Sequence, residues 1–421
     1  MDADVMIIGA GAAGLMAARK LSAHGKQVLL LEARNRIGGR IHTLNHPCFA
    51  QPVEGGAEFI HGNLKQTLAL LQEAHLSYQE AGGEIWRSEN GQWVQQEDFI
   101  EHYDLLMKAL QQQKEDVSVY QFLEDHFKDA KYQLLKKSIY SYTEGYYAGD
   151  IHKASTLFLK DELQGADEEN YRVLGGYGQL VEHLKNTCLQ QGCRLQLSSP
   201  VTRLQWQPGR VQVSTTAAKV YTARQAIITV PLGVLQNEAI HFHPALDEQM
   251  AAARQMGFGA VIKILLQFKE AFWQQDQRLT HMGFLFSEAV IPTWWTQHPQ
   301  STALLTGWCA GPAVLPLKES TDQQLLQKAL QSLGQIFQKP IPELEAQLSG
   351  WQVHNWAHDI YTQGGYAYVT TQTRQALQQL STPVKDTLFF AGEALHDGLE
   401  IGTVEAALCN GRLVAECLLR S

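Results

Sequence analysis

Three groups of residues in this chain have the types and spacing of cofactor or redox chemistry. The first is a G-x-G-x-x-G run, Gly9-Ala10-Gly11-Ala12-Ala13-Gly14. In such a run the first glycine permits a tight turn and the second lets backbone approach a pyrophosphate. The third lets a helix pack closely on a strand. The pyrophosphate then meets free backbone N–H groups and the positive end of a helix dipole. Glu32 follows, about 20 residues on, where an acid can hold a ribose hydroxyl. The second group is Gly38-Gly39-Arg40. Its glycines allow another close backbone approach, and an arginine can pair with a phosphate in bidentate geometry. Taken alone, the same run also reads as an exposed basic loop. The third is Lys263, a single cation inside the apolar run Val261-Ile262-Lys263-Ile264-Leu265-Leu266.

The elements needed to position these groups are legible around them. Val5 to Ile8 reads as a buried strand, and Leu15 to Ala23 as a helix with Gly25 as its C-terminal cap. Val28 to Leu31 reads as a second buried strand that ends in Glu32. Strand, turn, helix, strand and acid in that order define a dinucleotide site rather than an ordinary turn. Around Lys263, a strand puts Ile262, Ile264, Leu266 and Phe268 on one apolar face and Lys263 on the other, between Val261 and Leu265. On this pattern alone Lys263 reads as a snorkelling surface lysine; if buried, its ammonium needs a partner. Arg194 to Val201 and Val211 to Val213 read as further strands, as does Ala226 to Val230, which Pro231 ends. Leu64 to about Ile151 reads as mostly helical, with Gly82-Gly83 and Gly91 marking a small hairpin.

Composition sets outer bounds. A chain of 421 residues is long for one hydrophobic core, so two domains are expected. With 45% apolar and 18% charged residues it is globular, and a net charge of −9 argues against a nucleic-acid partner. The six cysteines show no metal-ligand spacing, so no metal site is expected and reduced thiols are the default reading. The first strand begins within a few residues of Met1, and no apolar stretch reaches about 18 residues. These features predict a cytoplasmic protein with no membrane segment.

The run Glu32-Ala33-Arg34-Asn35-Arg36-Ile37-Gly38-Gly39-Arg40, together with the first glycine motif, resembles the flavin amine oxidase family. That family includes monoamine oxidases, polyamine oxidases and histone-lysine demethylases. The resemblance extends from Val5 to Leu418 and implies FAD rather than NAD. It implies cofactor contacts from Gly9, Gly11, Ala13, Gly14, Glu32, Ala33, Arg34, Gly39 and Arg40. Further contacts are implied from Gly56, Ala57, Glu58 and Phe59 beneath the flavin, from the Val201 backbone at the adenine, from Trp356, and from Glu393, Thr403 and Val404. Gly365 stands where monoamine oxidases have a flavin-bonding cysteine, which implies non-covalent FAD. Lys263 matches a lysine that holds a water against flavin N5, and Phe272-Trp273 follows it as in the relatives. Tyr366 matches an aromatic residue standing before the flavin. The second tyrosine of that aromatic cage is missing, with Leu399 as its approximate match. Ile60-His61-Gly62 is similar to polyamine oxidases, where the histidine lines the substrate cavity; a loop histidine bonded to backbone is the other reading of His61. Glu144 or Asp150 could attract a cation or be solvated loop acids.

The implied architecture is a two-domain α/β flavoprotein with a discontinuous Rossmann-like FAD domain and an α+β substrate domain. FAD segments are expected at 1–76, 172–238 and 376–421, and substrate segments at 77–171 and 239–375. The implied reaction oxidises an amine C–N bond by hydride transfer to flavin N5, giving an imine and then a carbonyl product, with O₂ reduced to H₂O₂. A polyamine or related primary or secondary amine is the favoured substrate. The alternatives are a desaturase or protoporphyrinogen-type oxidase on the same scaffold, and a non-catalytic FAD-binding module. The amine and the oligomeric state are not legible in the sequence.

Overall fold

Val28–Leu31 is buried along its whole length, and Ala3–Ile8 almost so, as strands of a parallel sheet covered on both faces must be. In the computed structural model, which describes residues 1–89, 91–96, 100, 102–165 and 169–420, these two strands are neighbours in register, with Ile8 beside Leu31. They sit in an eight-stranded sheet. Its order runs Arg194–Gln196, Val28–Leu31, Ala3–Ile8, Val220–Ile228, Arg210–Thr215, Val201–Gln207 and His241–His243, and Leu388–Phe390 also pairs with Val220–Ile228. One face carries Ala12–Ser22 and the C-terminal helix Val404–Arg420, which approach so closely that a Cβ on Gly411 would lie 2.2 Å from the Ala13 carbonyl oxygen. The other face packs on Leu232, Met250, Ala253, Ala376 and Leu380.

A second, seven-stranded sheet runs Leu348–Asn355, Val261–Phe268, Leu304–Ala310, Thr293–Trp295, Met282–Ser287, Glu84–Glu89 and Gln92–Gln95. Every residue of Val261–Phe268 is buried. Ile262, Ile264, Leu266 and Phe268 join one core with Trp273 and Trp294, while Val261 and Leu265 join two smaller clusters on the opposite side. A short sheet of Phe59–His61, Asn170–Val173 and Tyr78–Glu80 places His61 beside Asn170 and Phe59 beside Arg172. The helices Tyr103–Gln112, Val119–His126, Gln133–Tyr140 and Thr156–Gln164 share a further core. Directly after Gln133–Tyr140 the chain makes a π-helical turn, Ser141–Tyr146.

Three local expectations are corrected. The first helix starts at Ala12, not Leu15, because Gly11 is already its N-cap, and it ends at Ser22 before Gly25 turns with φ +76°. The strand expected over 194–201 is two strands: the first ends at Gln196, and Ser198 (φ +50°) and Pro200 turn the chain before Val201. The stretch 64–151 holds more sheet than expected. Besides the hairpin strands Glu84–Glu89 and Gln92–Gln95, Tyr78–Glu80 pairs with Asn170–Val173, which the local sequence could not show. Parts of the same helical expectation, at 90, 97–99 and 101, lie outside the described residues.

Candidate active site

A single cavity of about 1440 Å³ runs from the first sheet to the second. It is lined by every residue expected to contact cofactor or do catalysis except Gly14, which is packed into the turn itself. A Cβ on Gly14 would lie 2.0 Å from the Gly9 carbonyl oxygen, so the tight turn and the close helix depend on it. Gly9 has φ +113°, and a Cβ there would meet Thr229 at 2.6 Å. Glu32 is buried and accepts hydrogen bonds from the Ala10 N–H at 2.8 Å and the Arg34 N–H at 2.9 Å. The acid therefore ties the glycine loop to the end of the second strand, with lone pairs left for a ribose.

Arg34 and Arg40 are engaged within the protein. Arg34 pairs with Asp359 at 2.6 Å, and its guanidinium lies 5.3 Å from the Tyr361 ring centroid. Arg40 Nη1 pairs with Glu393 at 2.6 Å and donates to the Gly365 carbonyl at 2.9 Å. The sequence offers no link between Arg40 and Glu393; the fold joins them, 353 residues apart, into one neutral pair on the cavity wall. Gly56 lies under the Arg40 backbone, where a Cβ would be 1.8 Å from the Arg40 oxygen. Trp356 donates its indole N–H to the Gly55 carbonyl at 2.9 Å, and Ala57 N–H bonds to the Arg40 carbonyl at 3.0 Å. Thr403 caps the helix Val404–Arg420 by accepting the Ala406 N–H at 3.2 Å, and the helix N-terminus reaches the cavity there. Val201 lines the same cavity where its strand begins.

The cavity continues to a buried cluster of charges. Lys263 is 1% exposed, and its Nζ donates to Glu58 Oε2 at 2.7 Å and to the Gly56 carbonyl at 3.0 Å. Glu58 is shared: its Oε1 also accepts from Arg172 Nε at 2.8 Å and from the Trp295 indole at 3.0 Å. Burial pushes the Glu58 carboxyl up, but Lys263 and Arg172 outweigh it and hold it at about 2. Glu58, expected from the resemblance as a cofactor contact, is here the counter-ion of the lysine. Arg172 and Trp295 were missed; their only local signal is alternation in short strands.

His61, Tyr366 and their neighbours face the same end. His61 Nδ1 lies 2.7 Å from Asn170 Oδ1 and 3.3 Å from the Tyr146 hydroxyl. Burial holds the imidazole below its usual range, against the opposing effect of Asn170. Tyr366 stacks on Trp308 with ring centroids 6.3 Å apart and planes at 18°. Trp308, from another strand, thus stands beside Tyr366, and Leu399 itself lines the cavity. Glu144 lines the cavity too, with its carboxyl pushed up by burial and by Asp150; Asp150 does not line it. Among the described residues no group of three or more His, Cys, Asp or Glu could hold a metal.

A glycine-cradled turn, a ribose-placed acid and one continuous cavity ending at a buried lysine define a dinucleotide-dependent oxidoreductase scaffold. The chain belongs to the flavin containing amine oxidoreductase family, which it matches over residues 12–419. It is 29% identical to lysine-specific histone demethylase 2 of Homo sapiens over 426 residues, covering 93% of this chain and 50% of that protein. It is 26% identical to polyamine oxidase 2 of Arabidopsis thaliana over 458 residues, covering 99% of this chain and 88% of that protein. The chain thus spans about half the length of the human demethylase it matches. Its fold is that of a putrescine oxidase solved with putrescine bound, at TM-score 0.82 and 20% identity, with 100% of both chains covered. The cofactor is FAD, and the bare backbone at Gly9, Gly11, Gly39 and Gly56 fits it. Gly365 offers no bonding side chain, and a Cβ there would meet Val261 Cγ2 at 2.4 Å, so FAD is held non-covalently.

Proposed function

We propose that this protein oxidises a small amine at its C–N bond, with O₂ as electron acceptor and H₂O₂ and an imine, then a carbonyl compound, as products. Bound FAD supplies the two-electron acceptor for the amine C–H. The carrying observation is the convergence of Lys263, His61 and the Trp308–Tyr366 pair on one cavity.

Each residue has a defined task in this reading. Because His61 Nδ1 shares its hydrogen with Asn170, Nε2 is left as an acceptor, and burial keeps the ring neutral near pH 7. Nε2 can accept a hydrogen bond from the incoming amine. Lys263, Glu58 and Arg172 together carry one net positive charge, which disfavours a second cation nearby and so favours the neutral amine that must react. After bonding Gly56 and Glu58, Lys263 Nζ has one N–H left for a water at the reacting end. Tyr366 and Trp308 shape the apolar approach.

A polyamine or related amine is the favoured substrate, supported by Glu144 and Glu162 along the same cavity, where Glu89 and Glu288 are already paired with Lys137, and by the names of the relatives. The same reading divides the chain into FAD segments 1–76, 172–238 and 376–421 and substrate segments 77–171 and 239–375. Sheet membership supports the scheme broadly, although His241–His243 joins the first sheet just beyond residue 238. Six unpaired cysteines support a cytoplasmic setting, and no helix among the described residues is long and apolar enough to cross a membrane.

The test is an anaerobic visible spectrum before and after adding spermine, acetylspermine, tyramine and short amino acids. Bleaching by one class establishes amine oxidation and identifies the substrate class. A flavin reduced by dithionite but by no amine would favour a desaturase or a non-catalytic module instead.

A further inference from the structure

We propose that the π-helical turn Ser141–Tyr146 sets the shape of the amine site by holding Trp308 and Tyr366 parallel. The proposal rests on the amine-oxidase reading of the same cavity. The Trp308 indole N–H donates to the Gly145 carbonyl at 2.9 Å, and the Tyr366 hydroxyl donates to the next carbonyl, that of Tyr146. Two consecutive backbone oxygens therefore fix the two stacked rings, whose strands Leu304–Ala310 and Tyr366–Tyr368 do not pair with each other.

These oxygens are available because the helix ends abnormally. In a continued α-helix they would accept N–H groups from residues 149 and 150. Here Tyr147 N–H instead reaches back to Tyr142, Gly149 N–H reaches Thr143, and Ala148 turns off with φ +53°. The last carbonyls of a helix need partners from elsewhere, and the rings supply them. The turn is itself wedged in place. A Cβ on Gly259 would lie 2.5 Å from Ala148 Cβ, and one on Gly311 would lie 2.6 Å from the Glu144 carbonyl oxygen. The Tyr146 hydroxyl also lies 3.3 Å from His61 Nδ1, so the same turn borders a third amine-facing side chain, which Asn170 holds at 2.7 Å. The consequence is selection by shape: rings held parallel admit a linear amine and exclude a branched one.

Trp308→Phe tests this, because it keeps a ring and removes the donor. Loss of one hydrogen bond to a backbone carbonyl should lower kcat/KM for the best linear amine about tenfold, mainly through KM. The ratio of kcat/KM for an α-branched amine to that for its linear isomer should rise. Amide hydrogen exchange at Tyr147 and Gly149 should quicken, a readout independent of turnover. Tyr366→Phe should move the same ratio in the same direction. If the wild type responds to amines but both variants keep its branched-to-linear ratio, or exchange in Trp308→Phe is unchanged, the proposal is overturned alone. If no amine reduces the wild-type flavin, the amine-oxidase reading falls and the proposal with it.

Discussion

Lys263 Nζ lies 2.7 Å from Glu58 Oε2, joining residues 205 positions apart in the chain. Both are buried, and Glu58 simultaneously pairs with Arg172. Taking either charge out of water is costly, and the cluster persists because its carboxylate oxygens accept from two cations and an indole.

That arrangement ranks two substitutions. Glu58→Gln leaves two buried cations facing an amide and should cost about 3–5 kcal/mol of stability. Lys263→Met leaves Glu58 still paired with Arg172 and should cost less. Denaturant unfolding of the two variants checks the order. Lys263→Met should also keep FAD yet slow amine-dependent flavin reduction by about 10- to 100-fold; full turnover would remove the lysine from the mechanism.

Glu32 accepts two backbone N–H groups that hold the glycine loop. Glu32→Ala should weaken FAD binding by about 10- to 100-fold, the equivalent of about 1.5–3 kcal/mol for bonds to a charged group. Fluorescence of released FAD during dilution measures it.

Gly365→Cys tests why the flavin is not covalently held. The new Cβ would stand 2.4 Å from Val261 Cγ2, so the single variant should lose stability and attach no flavin. Removing the Val261 side chain as well should relieve the overlap. Acid precipitation, followed by the visible spectrum of the pellet, reports covalent attachment.

Glu54 predicts a pH effect of opposite sign to Glu58. Burial raises its carboxyl from 4.5 to about 7 despite hydrogen bonds from Thr43 and the Tyr177 N–H. The unfolded carboxyl ionises first, so its contribution is full below pH 4.5 and is lost as pH rises through 7. The advantage in Tm of Glu54→Gln over wild type should therefore grow from pH 4.5 to 7 and level off above it. Glu58, held at about 2, contributes stability that is present above pH 4.5 and lost as pH falls toward 2.

The sequence by itself determined the nucleotide end of the molecule. Gly9, Gly11, Gly14 and Glu32 work through a turn, a helix start and a strand end within one short segment, so their spacing carries their geometry. The alternation around Lys263 likewise predicts which residues share the apolar face opposite it, because side chains on a strand repeat every second residue. Tertiary structure alone decided the amine end. Glu58 with Lys263, Asn170 behind His61, and Trp308 beside Tyr366 each join segments that no local period relates. Even the π-helical turn becomes informative only once its free carbonyls are seen against the two rings. Local periodicity fixes which way a side chain points; which distant partner it meets depends on how sheets and helices stack, and a single sequence carries no register between them.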